Sequence, residues 1–136
     1  MTNDTSYAIV QLVARILLSW MFLQSAYAHF TKVKMMAGYA ASVGKVPMPE
    51  AAVVVSGLML LVGGLSLLLG FHPRIGAGIL FLFLVPVAFV MHAFWKETDP
   101  MQRAGQRAHF WKNLTLAGAM LYVIANTAWP WPFAVG

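Results

Sequence analysis

The stretch YAIVQLVARILLSWMFLQSAYAHF, residues 7–30, decides how this chain is read. It is apolar over more than the roughly 20 helical residues that cross a bilayer core. Three further stretches of the same kind follow, near residues 51–70, 75–94 and 110–128. The expected fold is therefore all-α: an integral membrane four-helix bundle. Residues 7–30 also carry Arg15. A cation that persists inside such a helix faces protein, water or a ligand rather than lipid. The four acids of the chain, Asp4, Glu50, Glu97 and Asp99, all fall at or outside the expected membrane edges, so none sits at a depth to pair with it.

Composition supports the membrane reading. Of 136 residues, 60% are hydrophobic and 10% are charged, and mean hydropathy is +0.73. A soluble domain of this size needs a polar coat that these residues cannot supply. Four spans leave two short tails and three loops, so residues 1–136 form one transmembrane domain. With no cysteine, thiol–disulfide chemistry, thiolate metal sites and iron–sulfur ligation by this chain are excluded. The net charge of +5 does not indicate nucleic acid, because the cations cluster at helix ends, where they read as anchors to membrane lipids. Ala26-Tyr27-Ala28 resembles a signal-peptidase site, but no basic residue precedes a short apolar core, so the first segment is expected to be retained.

Between the first two spans, Lys32, Lys34 and Lys45 alternate with Met35, Met36, Tyr39 and Val43. This pattern predicts a short interfacial helix over 33–43, closed by Gly44 and followed by Pro47 and Pro49. In the second span, Ser56, Gly63 and Gly70 recur every seven residues, with Gly64 and Ser66 nearby. That stripe is read as a close-packing surface. The short Phe71–Arg74 connection predicts an antiparallel pair, and Pro86 predicts a kink before His92. Residues 96–109, KETDPMQRAGQRAH, read as a polar loop. Trp129 and Trp131 read as an interfacial belt. Loops one and three hold Lys32, Lys34, Lys45, Lys96, Arg103, Arg107 and Lys112, whereas Arg74 lies on the other side. The positive-inside rule then places those loops in the cytoplasm and both termini outside.

Two polar stripes run along the outer helices. Gln11, Arg15 and Ser19, continued by Ala26 and His29, share one face of the first; Lys112, Thr115, Ala119, Tyr122 and Asn126 share one face of the last. By helical rise Arg15 lies about 12 Å from Tyr7, a depth comparable to that of Tyr122. A first site is therefore expected where Arg15 meets Tyr122 and Asn126. Three readings of Arg15 stay open: donation to backbone and lipid phosphate, binding of an anionic or carbonyl ligand such as a quinone oxygen, and pairing with an acid of a partner subunit. A second polar cluster, near the other surface, comprises His92, Trp95, Lys112 and Asn113, with Phe94, Phe110 and Trp111 around it. An aromatic box beside polar donors suits a quinone head group, and it equally suits an ordinary aromatic belt. His29, His92 and His109 share that bilayer edge as weak candidates for a metal or for axial haem ligation. They lie on separate elements with no ligand spacing, which reads better as interfacial anchoring.

The residue pattern resembles the DoxX family of small four-helix membrane proteins. The resemblance covers about residues 10–125. It rests on Gly63, Gly64, Gly70, Phe71 and Arg74 in the pattern GG-x5-GF-x2-R, on His92 with the aromatic pair after it, and on Lys112-Asn113 after an aromatic residue. Arg15 matches a basic position of the family's first helix. Leu60 stands where members usually carry a Glu, and Ser25–His29 stand where many carry Gly-x-x-Lys. The resemblance implies a multi-pass protein of the bacterial cytoplasmic (inner) membrane. It also implies a small subunit of a respiratory or redox complex, such as a thiosulfate:quinone oxidoreductase. Such a subunit anchors a redox partner and contributes to a quinone site, with haem the weaker fit, and is accessory rather than a catalyst alone. The competing expectation is a stand-alone carrier, lipid-binding protein or scaffold acting as a homo-oligomer.

Overall fold

The computed structural model describes residues 2–125 and 130–135. Five α-helices follow one another: α1 (Thr2–Thr31), α2 (Val33–Val43), α3 (Pro49–Leu69), α4 (Pro73–Met91) and α5 (Pro100–Ala125), with a 3-10 turn at Phe94–Lys96 before α5. The chain is an all-α membrane protein. Among the described residues, three stretches are long and apolar enough to cross a membrane: Asp4–Thr31, Pro49–Leu69 and Pro73–Lys96. The fourth long helix, α5, has 26 residues, but its first turns carry Gln102, Arg103, Gln106 and Arg107, and its apolar part starts beyond Asn113.

Helix positions match the reading from sequence, and several boundaries do not. The interfacial helix over 33–43 is present as α2, and α3 and α4 form the expected antiparallel pair. However, α1 starts at Thr2 rather than Tyr7, and residues 100–109 are helical rather than a loop. The cause is a cap. Asp99 accepts the Gln102 backbone N–H through Oδ2 at 2.9 Å, and its carbonyl accepts the Arg103 N–H at 2.9 Å. Pro100 then occupies the first helical position, where its missing N–H costs nothing. The helix α4 runs on through Pro86 to Met91, so the Leu82 carbonyl lacks its usual donor four residues on.

The bundle is organised about α3, which packs on α1 along one face and on α4 along another. Small residues make both approaches close. A Cβ on Gly57 would meet the His29 Cβ at 2.9 Å, and one on Gly64 would meet Leu23 Cδ2 at 3.0 Å, so this pair, seven apart, forms the seam with α1. A Cβ on Gly63 would collide with the Leu80 side chain, and one on Gly76 with Ser66, so these two glycines form the seam with α4. The expected Ser56–Gly63–Gly70 stripe is thus divided: Gly63 faces α4, while Gly70 belongs to the turn. The helix α5 then packs on α4, while among the described residues the backbones of α1 and α5 do not approach closely. The core joins all four long helices through Phe22, Ala26, Leu60, Leu67, Leu80, Leu84, Ala117 and Met120. Outward, Val10, Val13, Leu17, Trp20 and Tyr27 of α1 are exposed on one face, as a lipid-facing surface requires.

Gly63→Ala should destabilise the bundle by roughly 1–3 kcal/mol, because the fully buried Leu80 must move. Gly78→Ala, where a Cβ meets nothing within 4 Å, should be neutral or slightly stabilising through helix propensity. Unfolding in detergent micelles compares the two; equal effects would refute this assignment of the seam.

Candidate functional site

Arg15 lies on the inward face of α1, where Arg15, Ser19, Phe22 and Ala26 are buried at intervals of four, three and four. Its guanidinium donates three hydrogen bonds, all to main-chain carbonyls: Nε to Leu67 at 3.2 Å, Nη2 to Leu68 at 2.6 Å and Nη1 to Pro132 at 2.6 Å. Leu67 and Leu68 belong to the last turn of α3. There the peptide dipoles leave partial negative charge and carbonyls without helical partners. Every one of these carbonyls is satisfied. Ser66 accepts from the Phe71 N–H at 3.0 Å and Leu67 from the Gly70 N–H at 3.3 Å, in the pattern that a left-handed glycine allows (Gly70 φ 68). Leu68 accepts from Arg15, and Leu69 from the Val135 N–H at 2.9 Å. The Trp131 ring closes the site, with Arg15 Cζ 5.8 Å from its centroid.

Of the three readings of Arg15, donation to the backbone is the one its geometry matches. Arg15 sits level with the α3–α4 turn, at one end of the bundle. Its apparent depth came from counting along α1 alone. The helix α3, at 21 residues or about 31 Å, is the element that matches the bilayer core, and α1 overshoots it. Tyr122 does not meet Arg15: it is 77% exposed, on a helix whose described backbone makes no close approach to α1. The inward face of α5 is Phe110, Asn113, Ala117 and Met120, so Thr115 and Tyr122 of the expected stripe face outward, while Lys112, itself exposed, reaches the cavity rim. Asn126 and Trp129 lie outside the described residues. Trp131, expected in a belt with Trp129, is instead buried at 8% exposure against Arg15.

The other half of the bundle is hollow. Beneath α2 lies a cavity of about 440 Å³, lined by all five helices, within the range of small-molecule sites. Phe22, Leu60 and Leu84 belong both to its wall and to the core, so it sits directly on the packed centre. Most of the wall is apolar. The polar exceptions are Ser25, His29, Tyr39, Ser56, His92, Lys112 and Asn113. His29 lies in the last turn of α1, and its Nδ1 donates to the Ser25 carbonyl at 2.7 Å. Gln106 donates from Nε2 to the Tyr39 hydroxyl at 2.9 Å, and its Oε1 accepts from His92 Nδ1 at 2.8 Å. This chain clasps α2 to α5 and to the end of α4 across the cavity roof. Asn113 is only 5% exposed.

Residues 10–93, more than half of the chain, match the family model described as DoxX. The chain belongs to the DoxX family. It is also similar to the inner membrane protein YphA of Escherichia coli, 27% identical over 113 residues, which cover 83% of this chain and 79% of that protein. No solved structure matches.

In this DoxX protein the expected second cluster is divided. His92, Lys112 and Asn113 line the cavity. Trp95 does not; it packs on Phe89 and Phe110, at 6.3 and 5.6 Å between ring centroids. Phe94 and Trp111 also stand edge-on to the buried Phe110, so the aromatic box is a self-packed clip that fastens the 3-10 turn to α5. His92 and His109 stack at 5.2 Å, while His29 lies across the cavity beside Phe83. Among the described residues, no three His, Cys, Asp or Glu side chains are grouped to hold a metal ion. Sequence reasoning missed Tyr39 and Gln106, which meet across 67 residues and carry no local signal. It also placed Leu60 only as a family departure, whereas Leu60 is cavity wall.

Arg15→Met should preserve membrane insertion and strand the carbonyls of Leu68 and Pro132, while Leu67 keeps the Gly70 N–H, at roughly 1–3 kcal/mol for each one left without water. Thermal unfolding in detergent should fall, and the C-terminal tail should become open to carboxypeptidase. Retained stability with a protected tail would show that the guanidinium does not hold this end of the bundle.

Proposed function

We propose that this protein is a membrane subunit of a redox assembly, in which the cavity beneath α2 holds a quinone-type ligand for a partner protein. The observation that supports this reading most is the cavity itself. Its wall is mostly apolar, it rests on the core, and it brings a few polar side chains from α1, α2, α4 and α5 together. That combination suits a lipophilic molecule with a small polar head. It also lies at the same end of the bundle as α2, so such a ligand is reached from the membrane surface. The name of the Escherichia coli relative places that protein in the inner membrane, and we assign this multi-pass chain to the same membrane. The protein's part is to bind and position; its partner supplies the electron transfer.

The test is gentle solubilisation from the native membrane, followed by native mass spectrometry with identification of bound small molecules. An isoprenoid quinone carried at near one per chain, together with a redox subunit, is the expected result. A homo-oligomer carrying phospholipid alone would overturn the proposal in favour of a carrier or scaffold.

A further inference from the structure

Both histidines in the cavity wall hydrogen-bond through Nδ1, and for His29 the partner fixes the tautomer. The Ser25 carbonyl can only accept, so His29 donates to it from Nδ1 at 2.7 Å. His92 Nδ1 lies 2.8 Å from Gln106 Oε1, and Gln106 Nε2 lies 2.9 Å from the Tyr39 hydroxyl, so His92 is held at the end of a side-chain relay. A neutral imidazole that donates from Nδ1 keeps a lone pair at Nε2. Neither Nε2 is among the buried side-chain atoms that lack a partner, which are Gln11 Oε1 and Ser19 Oγ; both remain accessible. Asn113 adds an independent observation. It is 95% buried by its 5% exposure, lines the same cavity, and its carboxamide makes no side-chain hydrogen bond within the described residues.

We propose that this cavity selects lipophilic molecules whose head group donates hydrogen bonds, that is, hydroxyl-bearing heads such as a hydroquinone, over heads that only accept. The inference rests on the cavity being a quinone-type site and adds the form it prefers. A hydroxyl gives its proton to an imidazole Nε2 and still accepts from Lys112 or the Asn113 amide. A carbonyl or ether satisfies those donors but leaves the His29 lone pair unpaired in a mostly apolar cavity. Sites built to pair with a substrate hydroxyl discriminate strongly against analogues that lack it. The cavity therefore holds the reduced form longer than the oxidised form and biases a partner's reaction toward it.

The experiment measures binding of three probes to the full chain in phosphatidylcholine nanodiscs, anaerobically at pH 8. The probes are decylhydroquinone, decylquinone and decylhydroquinone dimethyl ether, which share one tail. The expected result is that the hydroquinone binds at least about tenfold more tightly than either of the others, and that His29→Phe removes most of this difference while the quinone still binds. Equal affinities, or tighter binding of the quinone, would overturn the selectivity and leave the cavity as a quinone-type site. Failure of all three to bind would overturn the selectivity and the functional reading together. Because the comparison is made on the unaltered protein, it does not depend on the variant folding.

Discussion

The end of α3 is where this structure is held together. A helix that stops inside or near a membrane exposes its last carbonyls where water is scarce, and each must find a donor. Here the donors come from three places: the α3–α4 turn, Arg15 of α1, and the backbone of the C-terminal segment at Val135. Arg15 supplies more than one bond because its planar fork presents several N–H groups in fixed directions, which a lysine cannot reproduce. The positive charge also meets the negative end of the α3 dipole. One side chain thus joins the first helix, the central helix and the tail, through main-chain carbonyls alone among the described residues.

Fixing that end leaves the opposite end free to be hollow. Near the turn, Leu67, Leu80, Met120 and Trp131 fill the space between helices. Toward α2 the core gives way to the cavity, and the connections are hydrogen bonds between long side chains, Tyr39 to Gln106 to His92. Gly44 permits this roof: a Cβ there would meet Met91 Sδ at 2.7 Å and Val90 Cγ1 at 2.9 Å, so the chain leaving α2 lies tight against the end of α4. The polar groups that a lipophilic ligand would meet are thus presented by elements that are themselves anchored.

How far the sequence reveals this depends on the range of the interaction. Apolar runs, the amphipathic α2 and the brief α3–α4 connection are local patterns, and all were legible. The start of α5 was written in Asp99-Pro100 but was outweighed by the polarity of the residues after it. Polarity does not mark the interior of α5: Phe110, Asn113, Ala117 and Met120 face in, and Tyr122 faces out. Arg15 stood out at once as an unpaired cation. Its partners did not, because main-chain carbonyls carry no residue signature. The cavity was partly visible through His92, Lys112 and Asn113, whereas the Tyr39–Gln106–His92 contacts form only once distant helices meet.

The central claim, a locked end and a ligand-holding end in one small bundle, is tested most directly by hydrogen–deuterium exchange along the chain in nanodiscs, with and without added quinone or hydroquinone. Backbone amides of the α3–α4 turn and of Val135 should exchange slowly whether or not ligand is present, and those of α2 should exchange faster and be slowed by ligand. Rapid exchange at Val135 together with an α2 that ignores ligand would contradict the claim.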